Sequence, residues 1–336
     1  MQNSKPIWLK HTTLPKKISL EIDSYPTGTS QSKDIVKWQP QLTSLIKTPQ
    51  YSRLVPPIFS KDYQKLVCNE LKKRYKKTIT IYLIATSVII TLQTLLSGLK
   101  NLSWPALLLL ITLIHISEYK TGVKKVSCLK ERSLFFYWLY KEGGTKLAIL
   151  KVSSIFIIIC LPQFILGKTN HPDYAFHLYG AVYSSIDEGE IWRILTGAYL
   201  HYSTLHFLTN FFLTLSVGVL SVRLLGMKSL LVFFLGNIIG VYSQYYFGSH
   251  ELDSCGGVSF GFYSLFSFLI IYDIKRSRLF PAGFSLSLTL ILLICFTLAE
   301  LTLDNSASSG HIGSIIGGVI LAKINLPHKF TRYRHV

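Results

Sequence analysis

The sequence predicts an all-α polytopic membrane protein, and three observations carry that expectation. Of 336 residues, 49% are hydrophobic and only 15% charged, with a mean hydropathy of +0.36, which excludes an ordinary soluble domain. The apolar residues come in nearly uncharged blocks of about 17–25, the length that a helix rising ~1.5 Å per residue needs to cross ~30 Å of hydrocarbon. The net charge is +18, from 35 Lys and Arg against 17 Asp and Glu. In a soluble chain that excess would point to nucleic acid; here its placement along the chain makes it a topology signal, and no nucleic-acid partner is expected.

Eight spans are expected, at 78–99, 102–117, 147–167, 193–217, 228–247, 256–272, 279–299 and 309–324. The second is short and contains Pro105. It is kept because without it the 120–146 block, with its seven basic residues, would cross to the other side. With eight spans, 31 of the 35 basic residues fall in alternate segments, and the segments between them hold only Lys100, Lys168 and Arg193 against eight acids. Cytoplasmic loops are rich in Lys and Arg, so both termini are expected on the cytosolic or matrix side. The starts of the fourth, sixth and eighth spans then face the opposite, outer side.

Residues 1–77 read as a basic cytosolic region broken by Pro6, Pro15, Pro26, Pro40, Pro49, Pro56 and Pro57. No secretory signal is expected, since the first long apolar run starts near 78, and an acid-poor transit peptide matches badly with Glu21 and Asp23. Within 61–77, Tyr63, Val67, Leu71 and Tyr75 lie four apart with Lys on other faces. Two readings stand for this stretch: a juxtamembrane helix on anionic inner-leaflet lipids, or a solvated linker helix. Cys68, Cys128, Cys160, Cys255 and Cys295 show no redox or zinc spacing, and no disulfide framework is expected.

Polar side chains inside spans are costly and mark function by default. In HYSTLHFLTN, His206 and Asn210 are four apart and share a helix face. His201, five before His206, turns away from that face, and no Glu follows in the metalloprotease arrangement, so His201 reads as loop-stabilising and no metal is expected. In CGGVSFGFYSLF, Ser259 follows two glycines, and Gly257 and Gly261 form a small-xxx-small pair. Alone, that serine reads as helix-packing glue. In SSGHIGSIIGG, His311 is flanked by Gly310, Gly313, Gly317 and Gly318. Ser259 and His311 thus enter from the outer side at similar depth, each on a helix stripped of bulk. Two such helices can bring a hydroxyl within hydrogen-bond reach of an imidazole, which activates the serine by taking its proton. The His206 and Asn210 face can donate to the oxyanion that attack on a carbonyl creates. The alternative for that pair is plain interhelical hydrogen bonding.

The stretches GEIWRILTGAYLHYSTLHFLTN at 189–210, GGVSFGFY at 256–263 and GHIGSIIGG at 310–318, in this order and at the outer ends of alternate spans, resemble the rhomboid intramembrane serine proteases. The resemblance covers about 147–324. It implies a six-helix core and leaves the first ~146 residues unexplained; with the spans read above, the chain divides into a cytosolic region 1–77, a hairpin 78–119, a basic linker 120–146, the core 147–324 and a basic tail 325–336. It implies Ser259 as nucleophile and His311 as general base, in a dyad with no carboxylate and no cofactor. His206 and Asn210 match the oxyanion-hole side chains, joined by the backbone N–H of Ser259. Tyr263 matches the aromatic that packs on the histidine, Trp192 and Arg193 match the pair associated with the long loop 168–192, and Gly256 and Gly257 match the glycines that let backbone approach substrate. The implied activity is cleavage of single-pass transmembrane proteins near the outer membrane face.

One departure bears on that activity. The residue after the serine is usually small in the family, and here it is Phe260. If it faced the last span it would hold Ser259 and His311 apart, so Phe260 is expected to turn to lipid while Gly261 restores the close approach. Ser314, where a small residue is common, is benign. The second reading is an inactive rhomboid-like protein that binds membrane clients. A transporter would place acids or broken helices at the midplane; here the acids lie in loops. Trp192 alternatively reads as an interfacial belt residue, and Glu190 as a surface acid.

Overall fold

The computed structural model describes residues 7–8, 46–47, 56–59, 61–97, 103–140, 144–169, 174–249, 253–275, 280–302 and 307–323. The expectations for most of 1–55 and for the tail from 325 lie outside them. The chain divides into two compact units, one of 1–143, 280–287 and 332–336, the other of 144–279 and 288–331.

In the first unit, β1 (Ile7–Trp8) pairs antiparallel with β2 (Ile46–Lys47). Helix α1, Lys61–Ser97, then runs unbroken for 37 residues, from the basic stretch into the first apolar block. It contains no Gly or Pro to stop it. Its apolar half leaves Ile81, Ile84, Leu92 and Leu95 exposed, as a lipid-facing surface requires. Its Thr80, Thr86, Thr91 and Thr94 hydroxyls donate to the carbonyls four residues back, which satisfies them inside the helix. Helix α2 is Ser103–Glu118, and Pro105 sits in its first turn. A missing N–H there breaks no intrahelical bond, so the proline that shortened the second span does not interrupt it.

The apolar stripe of 61–77 packs on protein. Val67, Cys68 and Leu71 are buried with Ile58, Val123 and Leu129, so protein, not headgroups or water, covers that face, while Lys65, Lys73, Lys76 and Lys77 stay exposed. Residues 126–140 of the expected linker form helix α3, Val126–Tyr140. Between α2 and α3 lies a π-helical turn, Tyr119–Val123. At Gly122 a Cβ would fall 2.0 Å from Arg132 Nε, so glycine leaves the room in which that guanidinium lies. Arg132 donates to Glu118 Oε1 at 3.2 Å and to the Ala282 carbonyl at 3.4 Å, and Tyr75 donates to Glu118 Oε2 at 3.0 Å. Phe135 packs on the rings of Phe280 and Phe284 beside it. Removing the buried cation strands a carboxylate that is itself partly exposed. Arg132→Met is therefore expected to destabilise this unit by about 2 kcal/mol, measured as a lower unfolding midpoint in detergent.

The second unit starts with α4, Thr145–Thr169. A connecting stretch follows with α5 (Tyr174–Tyr179), β3 (Ala181–Val182), α6 (Tyr183–Asp187) and α7 (Arg193–Thr196). Helices α8 (Thr204–Leu225), α9 (Ser229–Phe247), α10 (Ser259–Lys275), α11 (Phe284–Thr302, from Leu288 on) and α12 (Ser308–Leu321) complete it, with β4 (Ser254–Cys255) before α10. The expected fourth span at 193–217 is corrected by this order, because 193–203 is not part of its helix. A Cβ at Gly197 would lie 2.4 Å from the Ala181 nitrogen; this segment packs against β3 instead of continuing α8. Ser203 caps α8, its Oγ accepting from the His206 N–H at 3.1 Å. Gly226, at φ 68°, turns the chain into α9.

Among the described residues, Gln64–Leu95, Pro105–Val123, Thr145–Leu166 and Thr204–Phe247 are long and apolar enough to cross a membrane, the last comprising α8 and α9, and Phe284–Glu300 and Ser308–Leu321 are shorter apolar helices. The architecture is an all-α polytopic membrane fold. Helices α9, α10 and α12 approach one another through small residues. A Cβ would meet Ser264 Cβ at 2.3 Å from Gly236, Ser243 Oγ at 2.1 Å from Gly313, and the Ser264 carbonyl oxygen at 2.2 Å from Gly318.

Candidate active site

The starts of α8, α10 and α12 converge at one end of the second unit. Ser259 opens α10, and its Oγ lies 3.0 Å from Nε2 of His311, in the first turn of α12. Both are buried, at 7% and 4% exposure. His311 Nδ1 is buried with no protein partner, so no carboxylate extends the pair. Tyr263, one turn after Ser259, packs its ring 4.5 Å from the imidazole at 44°.

His206 and Asn210 lie one turn apart on α8 and converge on Gly257. A Cβ at Gly257 would fall 2.7 Å from His206 Nε2 and 3.1 Å from Asn210 Nδ2. Gly257 has φ 111°, a left-handed conformation that glycine alone adopts without strain. Its backbone is thereby brought against both donors two residues ahead of Ser259. Asn210 Nδ2 is buried without a protein acceptor, a donor left available. Gly256 is equally pressed, a Cβ there falling 2.8 Å from Phe176 and 2.9 Å from the Leu200 carbonyl. Next to it, burial pushes the Cys255 thiol up to about 12, which leaves a packing residue and no thiolate.

The loop ahead of α8 is tied down by Arg193, which is 6% exposed. Its guanidinium donates to the Glu190 carboxylate and to the carbonyls of His177 at 3.1 Å and Gly180 at 3.0 Å, and lies over the Trp192 ring at 4.9 Å. Glu190 is therefore the ion-pair partner of Arg193 and not a mere surface acid. Trp192 is 41% exposed and meets Tyr179 edge-on. The β3–β4 pairing, Ala181 with Cys255 and Val182 with Ser254, joins this loop to the strand that leads into Ser259. His201 precedes α8 altogether. Its backbone N–H and C=O are both taken by the Gln163 side chain, and its ring stands edge-on to His206 at 5.1 Å, a loop-holding role.

Phe260 overturns its expectation. It is fully buried, with its ring 5.4 Å from the His311 ring. Two glycines make this possible. A Cβ at Gly240 of α9 would fall 2.3 Å from Phe260 Cγ, and one at Gly310 of α12 would fall 2.4 Å from Phe260 Cε1. The ring thus slides between α9 and α12 without separating Ser259 from His311. Gly261 does not face α12 either; it lies against Phe233 and Asn237 of α9, and its N–H donates to Asn237 Oδ1 at 2.8 Å. Nor do Gly257 and Gly261 form one helix face, since Gly257 precedes α10.

Comparison with known families now bears on this site. Residues 188–328 match the family model described as the Rhomboid domain. The chain carries a Rhomboid domain over that stretch. No curated protein matches it. Within the Rhomboid domain, sequence reasoning missed Asn237 and Gln244, whose Oε1 accepts from the Gly310 N–H at 2.9 Å. The signal was present in GNIIGVYSQ, where Gly236, Gly240 and Gln244 repeat every four residues and two amides interrupt an apolar helix.

Proposed function

We propose that this protein, which carries a Rhomboid domain, is an intramembrane serine endopeptidase that cleaves single-pass transmembrane proteins. The observation that carries the reading is the buried Ser259 Oγ to His311 Nε2 approach of 3.0 Å, beside a glycine backbone lined by two polar side chains. In the proposed reaction the Ser259 hydroxyl donates to Nε2. Its oxygen attacks the scissile carbonyl carbon, forming the C–O bond as the proton passes to His311. His206, Asn210 and the Ser259 N–H donate to the oxyanion. Collapse breaks the C–N bond, and the leaving amine takes the proton from Nε2. Water, deprotonated by the same nitrogen, then hydrolyses the ester and restores Ser259. No step calls for a metal or organic cofactor.

The charge distribution supports an orientation with both termini on the cytosolic or matrix side and the site toward the outer face. Exposed Lys65, Lys73, Lys76 and Lys77 fit anionic inner-leaflet lipids as a partner. The reading as an inactive client-binding relative drew on Phe260, which lies in its glycine slot without parting the dyad.

The test is cleavage of a generic single-pass substrate in liposomes, with product termini mapped. Native protein is expected to cleave within the outer part of the substrate's transmembrane segment, and Ser259→Ala to leave it intact. Cleavage that survives Ser259→Ala removes the nucleophile, and a folded native protein that binds but never cleaves favours client binding.

A further inference from the structure

In serine hydrolases with a third member, an acid bonded to the far imidazole nitrogen holds the ring's plane and tautomer. Here His311 has no such partner: its Nδ1 is buried and unbonded. A ring held by one hydrogen bond is free to swing, because the torsion to an imidazole has broad minima. Its plane must come from packing. Tyr263 and Phe260, three apart on α10, stand 4.5 and 5.4 Å from the imidazole, and Phe296 of α11 stands 6.3 Å away at 75°.

Of these, Phe260 is the one lodged between two glycines. Its root is pressed by Gly240 and its rim by Gly310, both of them backbone and unable to give. Gly310 adjoins His311 in the chain, so the slot and the imidazole share one turn of α12. Ser314 closes the same turn, its Oγ donating to the Gly310 carbonyl at 2.7 Å.

We propose that Phe260 is the positioning residue of His311, its wedged ring fixing the imidazole plane that no hydrogen bond to Nδ1 fixes. The inference rests on reading Ser259 and His311 as the reacting pair, but the ring's orientation is measurable without turnover. The full chain is prepared in nanodiscs with ring-¹⁵N histidine, and the His311 signals are assigned by their loss in His311→Gln. Native protein is expected to show one tautomer with sharp, well-separated nitrogen shifts. Phe260→Ala is expected to broaden them toward a tautomer average and to slow covalent labelling of Ser259 by a fluorophosphonate ~10–100-fold, the scale of a slightly misplaced reacting group. Phe260→Leu refills the volume without a flat ring. It is expected to recover the melting temperature but not the labelling rate, and it carries the test if Phe260→Ala does not fold.

A His311 spectrum unchanged in both variants, or a Phe260→Leu labelling rate equal to native, overturns the proposal. If native protein does not label at all while the spectrum still responds to Phe260, the positioning role stands and the protease reading is what fails.

Discussion

Replacing His311 by Gln is expected to lower cleavage by at least ~10³-fold, about as far as Ser259→Ala, and the double variant is expected to fall no further. The two groups share one hydrogen bond of 3.0 Å and one proton. Without the imidazole, the serine hydroxyl at its ordinary acidity is a poor nucleophile, and without the hydroxyl the imidazole has nothing to activate. Either loss disables the same step. The measurement is initial rates for the two single variants and the double, at equal folded protein in liposomes. Losses that multiply in the double variant would mean that the two side chains act independently, which the dyad does not allow. Residual cleavage in each variant would report what His206 and Asn210 supply alone.

Gly318→Val is expected to lower activity by about 10²-fold or more, through geometry and not through chemistry. Gly318 lies two turns beyond His311 on α12, and a Cβ there would stand 2.2 Å from the Ser264 carbonyl oxygen and 2.1 Å from Ser267 Oγ. The serine hydroxyl can rotate away, but the carbonyl belongs to α10 backbone and cannot. To reach ordinary contact α10 and α12 must separate by roughly 1 Å. The dyad spans those same two helices, so the separation opens its hydrogen bond, and misplacement on that scale costs about 10²-fold before any loss of packing. Overpacking adds a destabilisation of about 1–3 kcal/mol. Both are read together, as fluorophosphonate labelling of Ser259 and as the unfolding midpoint in the same detergent. A variant that labels at the native rate would show that the helices accommodate the methyls elsewhere.

The candidate site was legible where chemistry imposes a residue type at a spacing. Ser259, His311, His206 and Asn210 stand out because an apolar span has few reasons to hold a hydroxyl, an imidazole or an amide. The glycines were legible as a kind, but not by partner. Gly313 was readable as a close-approach residue, yet nothing in its own helix says that Ser243 of α9 lies opposite. Gly261 looked like relief for the dyad and proved to be the contact with Asn237. Phe260 was misread for the same reason. Its side chain follows Ser259 by one residue, about 100° around α10, and whether that direction meets lipid or a neighbouring helix depends on Gly240 and Gly310, 20 and 50 residues away in the chain.

The sequence by itself determined that this chain is a polytopic membrane protein, and which few polar residues interrupt its spans. Hydrophobic length and charge placement are local quantities, set against a bilayer of fixed thickness. Only the tertiary structure decided that 193–203 folds over β3 instead of extending α8, that Glu190 serves Arg193, and that the bulky Phe260 is lodged beside His311. Each of those depends on what a distant segment leaves empty or unpaired, and a close-packed interior assigns that space jointly, not residue by residue.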